Sequence, residues 1–177
     1  RKSTFVRDSH RGATRDTTKP ITDMEVTFSN TTPVIKYTCG IALLESPAFF
    51  TAHALALLSG APADGYSPIY MFCVHLWNVL VVLLGLLVLA RFLKQFFSDG
   101  VSALLLIAIA IGTNLFYFSV YNMGMSHGYL FALYALLLLY SAKLYRAPVP
   151  INFIMVGLST GLITLIRPNE IFCLVIP

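Results

Sequence analysis

The chain has 177 residues, of which 57% are hydrophobic and only 11% charged, with a mean hydropathy of +0.76. A soluble domain carries about 25% charged residues, so this composition excludes an ordinary soluble domain and points to an integral membrane protein. The pI near 9.1 is no argument for nucleic acid: the basic residues lie in a polar N-terminal tail and at the ends of apolar runs, where the positive-inside rule places them.

The chain opens at Arg1 without an initiator Met and stops at Pro177 inside an apolar run. It is therefore expected to be a piece of a longer protein. Residues 1–40 read as a polar, extracytoplasmic loop segment and residues 41–177 as a partial multi-span domain. Within the tail, the alternation of Met24 to Phe28 predicts a short strand. Asn30, Thr31 and Thr32 match a glycosylation sequon, a common pattern.

The first apolar run covers Ile41 to Ser59. Ser46 and Pro47 read as an N-cap and a first helical residue, so the predicted helix runs from Pro47 to Ser59, about 20 Å. That is short of the length of a span, so the helix is expected to lie on or dip into the membrane surface, with a short tilted span as the alternative. Glu45 then reads as a helix-start acid favoured by the dipole. Gly60 to Ser67 is a turn-rich loop, in which Asp64 before Gly65 fits a turn aspartate.

Four spans follow: Pro68–Leu93, Val101–Tyr121, Tyr129–Ser141 with its start near Met125, and Ile151–Ile166. Gly157 and Gly161 on the last form a Gly-x-x-x-Gly pattern suited to close helix packing. Arg91, Lys94, Lys143 and Arg146 mark two loops as cytoplasmic. The 60–67 loop, the polar aromatic seam from Asn114 to Tyr129, and the 167–170 helix end then face outward. The fold class is all-α integral membrane, with about four transmembrane helices and one interfacial helix.

The outward segments gather Lys36, Tyr37, Asp64, Tyr66, Asn122, Ser126, His127, Arg167 and Asn169. Lys36 and Arg167 have the chemistry to hold phosphate oxygens, and the aromatics and amides suit sugar faces and hydroxyls. The plainer reading is that outer loops are polar in any membrane protein, and that Arg167 snorkels to headgroups or pairs with Glu170. His127 reads either as a proton shuttle or as a hydrogen-bonded interfacial histidine; His53 and His75 read as structural. No spacing matches a zinc site, and Cys39, Cys73 and Cys173 have no redox pattern. No cofactor is expected, and nothing in the sequence calls for a divalent metal.

Residues 35–50, Ile-Lys-Tyr-Thr-Cys-Gly-Ile-Ala-Leu-Leu-Glu-Ser-Pro-Ala-Phe-Phe, resemble the Lys-Tyr-Pro-Pro-Gly segment and following helix of polytopic GT-C glycosyltransferases. These enzymes are similar to protein O-mannosyltransferases and to lipid A aminoarabinose transferases. Residues 161–169, Gly-Leu-Ile-Thr-Leu-Ile-Arg-Pro-Asn, resemble the helix end of that superfamily. Residues 64–67, 112–117 and 125–127 look like a bacterial branch of it. Thr38 and Cys39 replace the two prolines.

The resemblance implies a GT-C-like helical bundle in the bacterial plasma membrane, with its site on the outer face. The implied reaction moves a sugar from a polyprenyl-phosphate donor to a lipid, glycan or protein acceptor. A phosphate-contacting role passes to Lys36 and Arg167, and the acidic catalytic residue is expected upstream of Arg1. A transporter or flippase of a lipid-linked saccharide, or a non-catalytic membrane subunit, are the alternatives.

Overall fold

The computed structural model describes residues 25–27, 33–35, 39–121 and 125–176. The chain divides into two units, Arg1–Lys36 and Tyr37–Pro177. In the first unit, β1 (Glu25–Thr27) pairs antiparallel with β2 (Pro33–Ile35), with Val26 opposite Val34. The alternation at 24–28 thus does mark a strand.

The regular elements of the second unit are all helices among the described residues. Its elements are α1 (Gly40–Ser59), α2 (Pro68–Leu93), α3 (Asp99–Gly112), α4 (Leu115–Val120), α5 (His127–Arg146) and α6 (Pro150–Ile166), then a 3-10 helix, Pro168–Val175. By length and composition α1, α2 and α5 can each cross a membrane; α3 and α6 are apolar but shorter. Pro68 and Pro150 open their helices, where the missing N–H costs nothing. Gly60 closes α1 in the left-handed conformation, φ 68°, as a C-terminal glycine does.

Two expected boundaries are corrected. First, α1 begins at Gly40 and carries Pro47 in its interior, so it has 20 residues rather than 13. Pro47 has no N–H to offer the Leu43 carbonyl. The Ser46 hydroxyl donates to that carbonyl at 2.8 Å instead, so Ser46 repairs a gap and caps nothing. Glu45 consequently lies beyond the first helical turn. Second, the span expected over Val101–Tyr121 breaks between α3 and α4. Thr113 is extended there, and its hydroxyl donates to the Ile109 carbonyl at 2.7 Å and accepts from the Leu115 N–H at 3.2 Å. Local side-chain bonds of this kind compete with the helix ladder.

α2 is the axis of the unit. Its later portion runs parallel to α5, with Asn78 beside Gly128, Gly85 beside Ala132 and Phe96, just past its end, beside Arg146. Small residues permit this approach: a Cβ on Gly85 would sit 2.9 Å from the Ala132 Cα, and one on Gly128 would sit 2.5 Å from Asn78 Oδ1. α6 returns antiparallel to α5, and Tyr129, Leu130, Leu133 and Leu137 of α5 form the main core with Val156, Ile163 and Ile166 of α6. By contrast, a Cβ at Gly157 or Gly161 would meet nothing. The expected packing motif on α6 therefore faces open space among the described residues.

The first third of α2 packs instead against α1, whose buried face is the small-residue stripe Ala48, Ala52 and Ala56. His53 Nδ1 meets the Tyr70 hydroxyl across this hairpin at 2.6 Å, satisfying both polar groups in an apolar setting. Only the start of α1 reaches α6: a Cβ on Gly40 would lie 2.7 Å from the Ile166 nitrogen. From that contact α1 runs along the N-terminal part of α2, beyond the end of the α5–α6 pair.

Candidate functional site

The polar residues of the helical unit concentrate where the start of α1, α4, the start of α5 and the end of α6 meet the middle of α2. Pro168 cannot continue α6, so Arg167 leaves the helix with an extended backbone and its side chain crosses to α5. Nε donates to the Ser126 hydroxyl at 2.9 Å, and a terminal guanidinium nitrogen lies 3.5 Å from His127 Nε2. The His127 ring stacks on Phe118 of α4 with centroids 4.2 Å apart. Asn78 holds α4 in place, donating to the Ser119 carbonyl at 3.3 Å.

Arg167 does not pair with Glu170. Glu170 Oε2 accepts from the Tyr134 hydroxyl at 2.6 Å, which ties the 3-10 helix to the side of α5. Among the described residues the ion pair present is Lys94–Asp99, at 3.0 Å, at the opposite end of the bundle. Arg167 thus has a hydroxyl and an imidazole as its hydrogen-bonding partners, and no carboxylate among the described residues.

The structure brings together three of the expected site residues, Ser126, His127 and Arg167. Asn169 is exposed on the first turn of the 3-10 helix. Lys36, Tyr37 and Asn122 lie outside the described residues. Asp64 and Tyr66 are not part of this cluster. They sit beyond the far end of α1, and a helix of 20 residues separates them from the Gly40–Ile166 contact by about 30 Å. Asp64 Oδ1 accepts from the Tyr66 and Ser67 backbone N–H groups at 2.9 and 2.8 Å, and Gly65 takes φ 80°. These N–H groups hold the exposed Asp64 carboxyl below the ordinary aspartate range; its role is to shape the turn. The Tyr66 side chain is 86% exposed.

One pair escaped sequence reasoning. Glu45, half-buried on α1, faces the hydroxyl of Tyr129, which is 1% exposed. Glu45 Oε1 and the Tyr129 oxygen are both buried without a hydrogen bond of standard length. Next to them the Trp77 indole N–H donates to the Leu44 carbonyl at 2.9 Å. The signal was available: Glu45 is the only Asp, Glu, Lys or Arg between Lys36 and Asp64, and an ionisable group in an apolar helix is costly enough to need a reason.

Comparison with family models, with curated proteins and with solved structures finds no match. The cluster therefore stands on its own chemistry. A guanidinium at the end of an apolar bundle, oriented by a hydroxyl and an imidazole, can receive a phosphate in a bidentate fork. Among the described residues no group of three or more His, Cys, Asp and Glu is placed to hold a metal ion.

Proposed function

We propose that the chain is part of a membrane glycosyltransferase that takes a sugar from a polyprenyl-phosphate donor, with Arg167 binding the donor's phosphate. The observation that carries this reading is the Arg167 guanidinium, fixed by Ser126 and His127 and left without a carboxylate partner among the described residues. A buried or half-buried cation without an anion is a strong attractor for one. The phosphate then lies at the mouth of the bundle while the isoprenoid tail lies along apolar helix faces. As the sugar leaves, charge grows on the phosphate, and a cation fixed beforehand stabilises it.

The resemblance of residues 35–50 and 161–169 to GT-C enzymes supports the same reaction and implies a phosphate-contacting role for Lys36, which lies outside the described residues. Charge asymmetry supports an outward-facing site. Arg146 lies over the Phe96 ring, so Arg91, Lys94, Lys143 and Arg146 share one end of the bundle and Arg167 the other. On this reading α2 and α5, each long and apolar enough to cross a membrane, anchor the bundle, and the end of α1 that meets Ile166 lies at its outer end. The acceptor is a lipid, glycan or protein hydroxyl.

The test is binding of undecaprenyl phosphate to the protein reconstituted in lipid nanodiscs. Arg167→Ala is expected to weaken it at least tenfold, with partial recovery in Arg167→Lys. Unchanged affinity in Arg167→Ala overturns the assignment. A second reading, a flippase for a lipid-linked saccharide, is favoured by the unpartnered buried atoms His75 Nδ1 and Asn78 Oδ1 near the middle of α2, where transporters place polar groups. Transbilayer movement of a labelled undecaprenyl-phosphate sugar without sugar transfer would select it.

A further inference from the structure

At the end of the bundle away from Arg167, a cavity of about 370 Å³ opens between the ends of α2 and α5 and the far end of the 3-10 helix. Its walls are largely apolar: Phe92 of α2, Phe96 just past that helix, Leu138 and Ala142 of α5, and Ile176 after the 3-10 helix. Arg146, in the last turn of α5, also lines it. Arg146 is exposed as well, so its charge stands at the rim. The guanidinium lies over the Phe96 ring, 5.8 Å from the centroid, and Phe96 in turn packs on Phe92 with centroids 5.2 Å apart. An aromatic face attracts a cation placed in this way, so the charge is held at the edge of an apolar hollow.

The surroundings are basic. This end of the bundle carries Arg91, Lys94, Lys143 and Arg146, and the carboxylate among them is Asp99. Asp99 takes Lys94 at 3.0 Å. The Lys143 ammonium lies 4.7 Å from the centroid of the Tyr140 ring, on its own helix. Arg146 has no carboxylate partner among the described residues.

We propose that this cavity binds an anionic phospholipid, with the phosphodiester on Arg146 and the upper part of one acyl chain between Phe92, Leu138 and Ile176. A guanidinium can grip two phosphate oxygens at once, and basic pockets between transmembrane helices recognise anionic head groups. The acyl chain supplies contact atoms to walls that otherwise face a void. A free phosphate would satisfy Arg146 and leave the cavity empty. A neutral lipid would fill the cavity and leave Arg146 without an anion. The site lies at the opposite end of the bundle from Arg167 and stands whatever reaction Arg167 serves.

The test is native mass spectrometry of the full chain in detergent micelles, with phosphatidylglycerol and phosphatidylcholine added in equal amounts and the retained lipids counted. The wild-type protein is expected to favour phosphatidylglycerol by about tenfold, and Arg146→Ala to abolish most of that preference, with partial recovery in Arg146→Lys. Arg91→Ala removes the same charge from the same end but outside the cavity lining, and should change retention less than about twofold. Ala142→Phe keeps every charge and fills the cavity, and is expected to lower retention as Arg146→Ala does; Ala142→Leu gives the same reading if the larger side chain prevents folding. Equal losses in Arg91→Ala and Arg146→Ala would mean diffuse surface charge and overturn the site. So would equal retention of the two lipids by the wild-type protein, or full retention in Arg146→Ala. Full retention in folded Ala142→Phe or Ala142→Leu overturns the place of the acyl chain in the cavity. Displacement of the lipid by millimolar glycerol 3-phosphate would identify a free phosphate as the ligand and overturn the lipid assignment.

Discussion

Arg167 Nε donates to the Ser126 hydroxyl at 2.9 Å, joining the end of α6 to the start of α5 across 41 residues of chain. The bond fixes where the guanidinium points. Ser126→Ala removes the acceptor, and the expected loss is about 1 kcal/mol of stability, read in reversible unfolding in detergent. A double-mutant cycle with Arg167→Ala should give a coupling energy of similar size, because the two residues share one interaction. Strict additivity would show that the contact carries no energy.

The α2–α5 contact depends on absent side chains. Gly85→Leu places atoms where Ala132 already sits, since even a Cβ would come within 2.9 Å. Overpacking of this kind costs about 1–3 kcal/mol, and the variant should unfold earlier in a denaturant series. Gly157→Leu on α6, where a Cβ meets nothing, serves as the control and should leave unfolding unchanged.

Ser46 offsets the donor that Pro47 removes. Ser46→Ala should destabilise α1 by about 1 kcal/mol, while Pro47→Ala, which restores a backbone N–H for Leu43, should suppress that loss in the double variant. Amide exchange along α1 would report both effects.

Asp64 gives a pH dependence with a defined sign. Its carboxyl is held below its ordinary range by the Tyr66 and Ser67 N–H groups, so the ionised form favours the turn. That contribution is full above the ordinary aspartate pKa and is lost as pH falls through the lowered one. Amide exchange at Tyr66 and Ser67 should therefore accelerate, relative to other loops, in acid below the ordinary aspartate range. Asp64→Asn should flatten this dependence.

The cysteines differ in access. Cys39 is exposed and Cys173 buried; burial also pushes the Cys173 thiol up from its ordinary range. A membrane-impermeant maleimide applied to intact cells should label Cys39 and spare Cys173, because thiolate and access together set the rate. Labelling of Cys39 only after permeabilisation would reverse the proposed orientation.

The helices were legible wherever their ends are written in local chemistry. α2 runs from Pro68 to Leu93 as its apolar run predicts, and α6 opens at Pro150, one residue before its expected start. Prolines and glycines act within a turn of their own position, so such boundaries need no neighbours. Where an end depends on repair of a gap, as at Pro47, or on a side chain turning back on the backbone, as at Thr113, the linear pattern misled.

The residues of the site were legible as types and not as a group. Ser126, His127 and Arg167 stood out as polar residues at the edges of apolar runs, and the tertiary structure joined them. The same structure set Asp64 and Tyr66 at the far end of α1, showed that Gly85 and Gly128 rather than Gly157 and Gly161 make the close helix contacts, and brought Glu45 against Tyr129. An apolar run declares that a helix will be covered by protein or lipid; it does not name the neighbour. Pairings between segments forty or eighty residues apart are decided by which helix faces fit at close range, and that information exists only once the helices are packed.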